Sequence, residues 1–234
     1  MWNMKIRSFL FTMLFALTTF LVAILFFPFL VFRCQSLYWA GYIWSKASLF
    51  LLKHICGIDY KIEGQKNIPN KPYLIASKHQ SVFETIVFWS MFYIPTFILK
   101  KELLSVPFFG IYLKSMKMIA IDRRDGRNSL KKRIVKSAYH LQHKRNIIIF
   151  PEGTRTDYGT QKESYSPGVA ALYTGTNVPV LPIALNSGKF WPNNGDKKPG
   201  TITIKILPPI APGLDRKVFL KKLYESIESS SKKL

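Results

Sequence analysis

The feature that most constrains this chain is an uncharged apolar run of 20 residues near its N-terminus, over residues 8–27. A helix of that length reaches roughly 30 Å, which matches the hydrocarbon thickness of a bilayer. The run begins after Lys5 and Arg7 and ends in several phenylalanines, whereas a signal peptide ends in small residues at its cleavage site. The sequence therefore predicts a retained membrane helix.

A second apolar stretch, over residues 37–52, predicts a helix that prefers the membrane interface. It carries four aromatic residues between Tyr38 and Trp44 and a single cation, Lys46. Tyrosine and tryptophan favour the headgroup region because their rings are apolar with a polar tip. Cations before the first helix and after the second indicate a hairpin that returns to the cytoplasmic side. The alternative is a helical hairpin buried in a soluble core.

The rest of the chain predicts an α/β domain, so we divide the sequence into a membrane-anchoring segment, residues 1–52, and an α/β domain, residues 53–234. Short β-rich runs alternate with helical patterns, which is typical of a mostly parallel sheet. Strands are expected near residues 60–62, 73–77, 96–99, 118–121, 147–150, 180–185 and 201–207, and helices over 128–143 and 214–229. Pro179 and Pro182 predict that the sixth strand lies at an edge or entry position of the sheet.

The charge of the chain indicates a polyanionic partner. Lysine and arginine number 34 against 13 acids, which gives a formal net charge of +21 at pH 7. Basic proteins of this kind bind nucleic acid, anionic membrane surfaces or phosphorylated substrates. A hydrophobic fraction of 48% excludes a disordered basic tail.

A histidine and a carboxylate after the second predicted strand form the first candidate site. The two side chains can meet only if His79 lies in the loop after the strand and Glu84 lies in the first turn of the next helix. Such loops are where open α/β sheets bind ligands. The carboxylate of Glu84 can then accept the Nδ1 proton of His79 and leave Nε2 as a general base. A structural alternative stays open, because Ser81 and Glu84 have the spacing of a helix capping box.

The loop after the fifth predicted strand, residues 150–156, is rich in hydrogen-bond donors. Gly153 lets backbone N–H groups approach an anion, and the guanidinium of Arg155 matches the geometry of a phosphate. Thr154 adds a hydroxyl to the same loop. The carboxylate of Glu152 can orient Arg155 or a substrate hydroxyl. The loop is therefore a candidate phosphate site.

Taken in chain order, four blocks resemble the motifs of the glycerolipid acyltransferases, specifically the 1-acyl-sn-glycerol-3-phosphate acyltransferase family. The blocks are residues 79–84, 121–123, 150–155 and 178–182, and the likeness covers roughly residues 57–207. The Phe-Pro-Glu-Gly-Thr-Arg block is the most specific of them. That family has aspartate at the position of Glu84, which is one methylene longer and keeps the charge.

The resemblance implies an activity and the residues that perform it. The reaction would transfer a fatty acyl group from acyl-CoA or acyl-carrier protein to the sn-2 hydroxyl of lysophosphatidic acid, giving phosphatidic acid in phospholipid biosynthesis. His79 would be the catalytic base and Glu84 the carboxylate that orients it. The implied phosphate-binding residues are Glu152, Gly153, Thr154, Arg155 and Arg123. The implied fold is a membrane-embedded hairpin followed by an acyltransferase-like α/β domain with a mostly parallel sheet.

The resemblance also implies partners and a location. It implies lysophosphatidic acid, an acyl thioester and anionic membrane lipids as partners, with acyl-carrier protein as one carrier of the donor. It implies no metal, no redox cofactor and no nucleic acid. The expected location is the cytoplasmic face of a membrane, which in a bacterium is the inner membrane. The remaining cations, including those at residues 131–133, are predicted to face the membrane or the donor.

Two alternatives remain from the sequence. An acyltransferase that acts on glycerol 3-phosphate or on another lyso-lipid would carry the same motif blocks. A membrane-tethered nucleic-acid-binding protein would explain the net charge and the basic cluster at residues 123–133. Nucleic-acid modules interleave aromatic residues with their cations, and residues 123–137 contain none, so this alternative is disfavoured.

Overall fold

The computed structural model of the chain describes residues 3–30, 35–70, 72–107, 109–122, 126–161 and 164–234. The strands within these ranges are β1 (Ile58–Glu63), β2 (Leu74–Ser77), β3 (Pro95–Lys100), β4 (Ile119–Ile121), β5 (Asn146–Ile149), β6 (Val180–Leu185) and β7 (Gly200–Ile206). The helices are α1 (Met4–Phe26), α2 (Gln35–Cys56), α3 (Phe83–Met91), α4 (Phe109–Ser115), α5 (Gly126–Gln142), α6 (Pro167–Thr176), α7 (Ser187–Phe190) and α8 (Arg216–Lys232). Short 3₁₀ helices span Phe27–Leu30, Gln65–Asn67 and Lys101–Ser105.

The strands form one sheet with the order β1-β7-β6-β2-β5-β3-β4. Within the described residues, the pair β6–β7 is antiparallel and the other five neighbouring pairs are parallel. This confirms the predicted fold class, and each predicted strand is present. Because β2, β3, β5 and β6 run in the same direction, the loops that follow them open at one edge of the sheet. We call this the carboxyl edge.

The prediction that β6 lies at an edge or entry position of the sheet is wrong. β6 pairs with β2 on one side and with β7 on the other, and its six residues are all buried. The carbonyl of Pro182 accepts a hydrogen bond from the N–H of Leu207 (3.0 Å). β7 ends at Ile206, so the missing N–H of the proline falls where the ladder between the two strands has already ended.

The two faces of the sheet are covered by different helices. Side chains of α1, α2, α3 and α4 pack in one apolar cluster, and those of α5, α6 and α8 pack in the other. Ile75 and Ile148 belong to the first cluster, while Leu74 and Ile147 belong to the second, because strand side chains alternate between the faces. We call the first face the hairpin face and the second the α5 face.

The two N-terminal helices pack on the sheet domain. The hydroxyl of Ser45 in α2 donates a hydrogen bond to the carbonyl of Ile86 in α3 (2.8 Å), and Leu37 and Leu52 are buried in the first cluster. The opposite side of α2 exposes apolar residues, of which Trp39 is 57% exposed. One side of α2 therefore belongs to the core. For that side, the alternative of a helical hairpin buried in the core applies.

The first helix differs from the second in its exposure. The segment Met4–Leu30 is long and apolar enough to cross a membrane, and 6% of its apolar window is buried. Among the described residues it is the only helix that meets these criteria. The two predicted helices are thus confirmed, with one candidate membrane span. The division of the chain at residue 52 stays a prediction, and α2 continues past it to Cys56.

Candidate active site

The candidate active site lies at the carboxyl edge, where the loops after β2 and β5 meet. β2 consists of four buried residues and ends at Ser77, so the chain leaves the sheet directly before His79. The backbone N–H of Thr156 in the second loop donates to the carbonyl of His79 (2.9 Å). The motif blocks at residues 79–84 and 150–155 are therefore neighbours in space.

His79 is held by an aromatic neighbour. Its ring stacks on that of Phe150, with 3.8 Å between the centroids and 14° between the planes. The side chain is 14% exposed, while its Nδ1 is buried and makes no hydrogen bond within the described part of the chain. The exposed atoms of the ring therefore lie away from Nδ1. This arrangement suits a base that works through Nε2.

Glu84 lies in the first turn of α3 and faces His79, as the sequence predicts. Its carboxylate is fully buried, and Oε2 lies 3.7 Å from Nδ1 of His79. A hydrogen bond needs a distance shorter by roughly 0.5–1 Å, a change that substrate binding commonly brings to catalytic contacts. The contact is therefore close to, but longer than, a hydrogen bond.

The carboxylate of Glu84 also makes the contacts of the structural alternative. It accepts hydrogen bonds from the backbone N–H groups of Gln80 (3.1 Å) and Ser81 (3.0 Å) at the start of α3. It also accepts one from the hydroxyl of Ser187, which follows β6 and which sequence reasoning missed. The capping function and the histidine contact thus coexist on one side chain.

Glu152 has a different place from the one that the sequence predicts. The sequence puts it among the residues that hold the substrate phosphate, but its side chain is fully buried. Its carboxylate contacts Nζ of Lys78 (3.0 Å), accepts from the hydroxyl of Thr156 (2.8 Å) and lies 3.4 Å from the N–H of His79. A carboxylate also repels a phosphate, so we correct the assignment: Glu152 joins the loops after β2 and β5.

Lys78 is the main site residue that sequence reasoning missed. Its side chain is 1% exposed, and its ammonium lies 2.9 Å from both carboxylate oxygens of Glu228 in α8. The hydroxyl of Tyr165 donates to the same carboxylate (2.7 Å). Burial raises the pKa of the Glu152 carboxyl, and the neighbouring ammonium of Lys78 opposes that rise. A lysine directly after a buried strand was the available signal, because a buried lysine needs a partner.

The other predicted phosphate-binding residues lie in the loop after β5 or outside the described part of the chain. Gly153 has a φ of 72°, in the left-handed region that glycine tolerates, and its N–H donates to the carbonyl of Phe150 (3.0 Å). This turn leaves Thr154 and Arg155 exposed at the carboxyl edge. Arg123 lies outside the described residues.

A cavity of about 460 Å³ opens next to these loops. Two cations, Lys189 and Lys198, line it together with Tyr158 and one acid, Asp157. Gly188 also lines it, and its backbone N–H donates to the side chain of Gln80 (3.1 Å), next to His79. The carboxyl edge therefore offers space and positive charge on the side of α7.

Comparison with known proteins finds relatives along most of the chain. A family model described as acyltransferase matches residues 59–186. The 1-acyl-sn-glycerol-3-phosphate acyltransferase of Pseudomonas aeruginosa is 41% identical over 208 residues, which cover 87% of this chain and 80% of that protein. The protein of the same name from Borreliella burgdorferi is 32% identical over 158 residues, which cover 66% of this chain and 62% of that protein.

A solved structure resembles the whole chain. The crystal structure of the 1-acyl-sn-glycerophosphate acyltransferase from Thermotoga maritima superposes with a TM-score of 0.80 and 22% sequence identity. The superposition covers 99% of this chain and 97% of the other. At this identity the likeness establishes the fold, including its two N-terminal helices.

Proposed function

Since the chain belongs to the acyltransferase family and is an acyltransferase enzyme, we propose that it acylates the sn-2 hydroxyl of lysophosphatidic acid and gives phosphatidic acid. The observation that carries this proposal is the pair of His79 and Glu84 at the carboxyl edge, beside the exposed Arg155. The names of the relatives from Pseudomonas and Borreliella support the same acceptor.

His79 is the proposed general base. When Glu84 closes on Nδ1, the ring proton stays on that nitrogen, and Nε2 is free to take the proton of the sn-2 hydroxyl. The hydroxyl oxygen then attacks the thioester carbonyl, and an ester C–O bond forms as the C–S bond breaks. The departing thiolate takes the proton from Nε2 and leaves as a thiol. Every proton is accounted for without an acyl-enzyme, and we propose no metal or redox cofactor.

Arg155 is the proposed ligand of the acceptor phosphate. Its planar guanidinium can donate two parallel hydrogen bonds to phosphate oxygens, and Thr154 and the backbone at Gly153 add donors in the same turn. Arg123 stays in this proposal on the strength of the motif alone. Glu152 is left out because its buried carboxylate supports the loops.

The proposed donor is acyl-CoA or acyl-carrier protein, both of which carry phosphate groups. Lys189 and Lys198 in the cavity beside Gln80 support a phosphorylated donor at this edge. The cations at residues 131–133 lie on α5, on the face of the sheet opposite α1 and α2. This placement favours the donor over the membrane as the partner of that cluster.

We propose that the enzyme works at the cytoplasmic face of a membrane. The exposed apolar segment Met4–Leu30 supports membrane attachment. Lys5 and Arg7 lie at the start of α1 and Lys53 lies in the last turn of α2, at the ends of the hairpin that would face the cytoplasm. An acceptor with one long acyl chain is itself a membrane component, so enzyme and substrate would share one surface.

The test is an acyl-transfer assay on the full chain purified in detergent. Wild type is expected to prefer lysophosphatidic acid to neutral lyso-lipids, because Arg155 favours a phosphate. It is expected to prefer lysophosphatidic acid to glycerol 3-phosphate, because only the lyso-lipid shares the membrane with the enzyme. His79→Ala is expected to lower kcat by roughly 10²- to 10⁴-fold, the usual contribution of a general base. His143→Ala, which alters an exposed histidine in the turn directly after α5, is the matched control and should keep full activity.

Thermal unfolding of both variants shows whether the fold is retained. Near-wild-type activity in a folded His79→Ala enzyme would remove the proposed base. Faster transfer to glycerol 3-phosphate than to lysophosphatidic acid would leave the base in place and change the acceptor.

A further inference from the structure

Exposed apolar side chains are concentrated on one part of this molecule. Among the described residues, 23 large hydrophobic side chains are exposed, and 19 of them lie between Met4 and Ile111, on or next to the helices of the hairpin face. Most of these belong to α1 and α2. The α5 face has few exposed apolar side chains by comparison, and Val135 and Val218 are examples.

Four of these side chains form a separate group outside the N-terminal helices. They come from the 3₁₀ helix Lys101–Ser105, from α4 and from the turn between them, and they are Leu103, Val106, Phe109 and Ile111, which are 39%, 42%, 46% and 48% exposed. We call these four residues the apolar tip. Apolar groups of this size gain free energy when they leave water, and within the described residues no part of the chain covers them.

The backbone of the tip is closely packed. The N–H of Gly110 donates to the carbonyl of Val106 (2.8 Å), and a Cβ on Gly110 would lie 2.2 Å from the carbonyl oxygen of Leu104. Glycine is therefore required for α4 to approach the 3₁₀ helix. The 3₁₀ helix and α4, which carry most of these side chains, therefore lie in direct contact.

Cations stand around the tip. Lys100 ends β3, Lys101 begins the 3₁₀ helix and Lys114 lies in α4, and all three side chains are exposed. Two acids lie among them: Glu102 is exposed in the 3₁₀ helix, and Asp122 pairs with Lys101 (3.2 Å). The three cations outnumber these two acids. Apolar side chains rimmed by lysines are typical of surfaces that enter the headgroup region of an anionic bilayer. A face that binds another protein copy would be expected to carry fewer lysines, because they are depleted from such interfaces.

The tip is connected to the candidate membrane helix. The hydroxyl of Tyr112 in α4 donates a hydrogen bond to the carbonyl of Ala23 in α1. Ile24, Leu25 and Phe27 follow directly in the chain and are exposed. The tip therefore adjoins the exposed apolar surface of α1.

The tip is also connected to the candidate active site, through β3. It follows β3, whose residue Phe97 stacks on Phe150 with 6.4 Å between the ring centroids. Phe150 in turn stacks on His79. Two ring contacts thus link the catalytic histidine to the strand that leads into the tip.

We propose that the apolar tip is a second membrane contact, which enters the headgroup region of an anionic phospholipid bilayer beside α1. With α1 it gives two contacts on the hairpin face, which hold the carboxyl edge and His79 close to the lipid surface. A lyso-lipid acceptor then reaches His79 while its acyl chain stays in the bilayer. The last step rests on the proposed function, whereas the contact itself does not.

The contact is tested without any acyl transfer. A nitroxide is placed on Phe109→Cys in the full chain, in a background where Cys34 and Cys56 are serine, and its access to oxygen and to a water-soluble nickel complex is measured in phosphatidylglycerol–phosphatidylethanolamine vesicles. We expect the nitroxide at position 109 to lie in the lipid phase. A nitroxide on Val135→Cys, on the α5 face, is the matched control and should stay in water.

Two outcomes would overturn the contact. One is a nitroxide at position 109 that is as accessible to nickel as the one at position 135. The other is protection of this nitroxide from nickel in detergent without vesicles, rising with protein concentration. That result would show that the tip contacts a second copy of the chain.

A kinetic experiment tests the acceptor step separately. Phe109→Glu is expected to lower kcat/KM about tenfold or more for long-chain lysophosphatidic acid in vesicles, because a carboxylate resists entry into the bilayer. It should leave kcat/KM for a water-soluble short-chain acceptor unchanged, and Val135→Glu should change neither. Equal losses with both acceptors would refute delivery from the bilayer. If wild type acylates neither acceptor, the proposed function fails while the nitroxide result stands.

Discussion

Glu84 contacts two different neighbours through one carboxylate. Its oxygens accept hydrogen bonds from the backbone N–H groups of Gln80 and Ser81, which precede α3, and Oε2 faces Nδ1 of His79 at 3.7 Å. Only the second contact depends on charge, because a carboxylate stabilises the imidazolium that forms when the base takes a proton. A neutral amide can still accept a backbone N–H.

This difference separates catalysis from capping. Glu84→Gln is expected to lower kcat by roughly 10- to 100-fold, the usual effect of removing the partner that orients a functional histidine. Its thermal unfolding temperature should stay close to that of wild type. Glu84→Asp keeps the charge on a shorter side chain and should keep more activity than Glu84→Gln. A fully active Glu84→Gln enzyme would leave the carboxylate with the capping function alone.

At the scale of the elements, Lys78 joins three parts of the fold. It lies in the loop after β2, and its ammonium contacts Glu152 in the loop after β5 and Glu228 in α8. Two buried carboxylates thus share one buried cation, with the hydroxyl of Tyr165 as a further donor to Glu228. These contacts attach α8 to the loops that carry His79 and Arg155.

Removing this cation should destabilise the fold strongly. Lys78→Met is expected to lower the free energy of unfolding by about 3–5 kcal/mol at neutral pH, because both carboxylates lose their buried counter-charge. The loss should shrink as the pH falls, since burial already raises the pKa of Glu152 and a protonated carboxyl is less costly to bury. Denaturant unfolding followed by tryptophan fluorescence measures both effects.

The double variant Lys78→Met with Glu228→Gln should recover part of that stability, because one buried charge is gone. Lys221→Met, which alters an exposed lysine of α8, should stay within about 0.5 kcal/mol of wild type. A loss below about 1 kcal/mol in Lys78→Met would contradict the network.

At the scale of the whole molecule, the net charge of +21 is unevenly distributed. The first 52 residues contain four cations and no acid, while the rest of the chain contains 30 cations and all 13 acids. The hairpin face adds exposed apolar side chains, and the α5 face carries the cluster at residues 131–133. Exposed apolar side chains are therefore concentrated on the hairpin face, whereas exposed cations occur on both faces.

These exposed cations predict a specific response to salt. With acceptor in anionic vesicles, kcat/KM should fall as NaCl rises from about 0.05 to about 0.5 M, because screening shortens the reach of exposed charges. With acceptor in vesicles of zwitterionic lipid, the change should be much smaller. The same salt dependence in both kinds of vesicle would show that the anionic surface contributes little.

The sequence alone predicted the order of the secondary structure and the proximity of His79 and Glu84. The seven strands are visible as short β-rich runs, and β2, β5 and β6 bury three or more consecutive side chains each. His79 and Glu84 were predictable as a pair because they are close in the chain, and the geometry of one loop and one helical turn brings them together. The exposed position of Arg155 agrees with its predicted site for the same local reason.

Only the tertiary structure decided the features that depend on distant parts of the chain. The central place of β6 depends on where β7 ends, and the partner of Lys78 lies 150 residues further along, in α8. Its loop predicted Glu152 as a phosphate-binding residue, but the fold buries its carboxylate against Lys78. The apolar tip became visible only when the hairpin face was assembled. Local patterns determine which residues can do chemistry, whereas burial and neighbours, which set charge and access, arise from the whole fold.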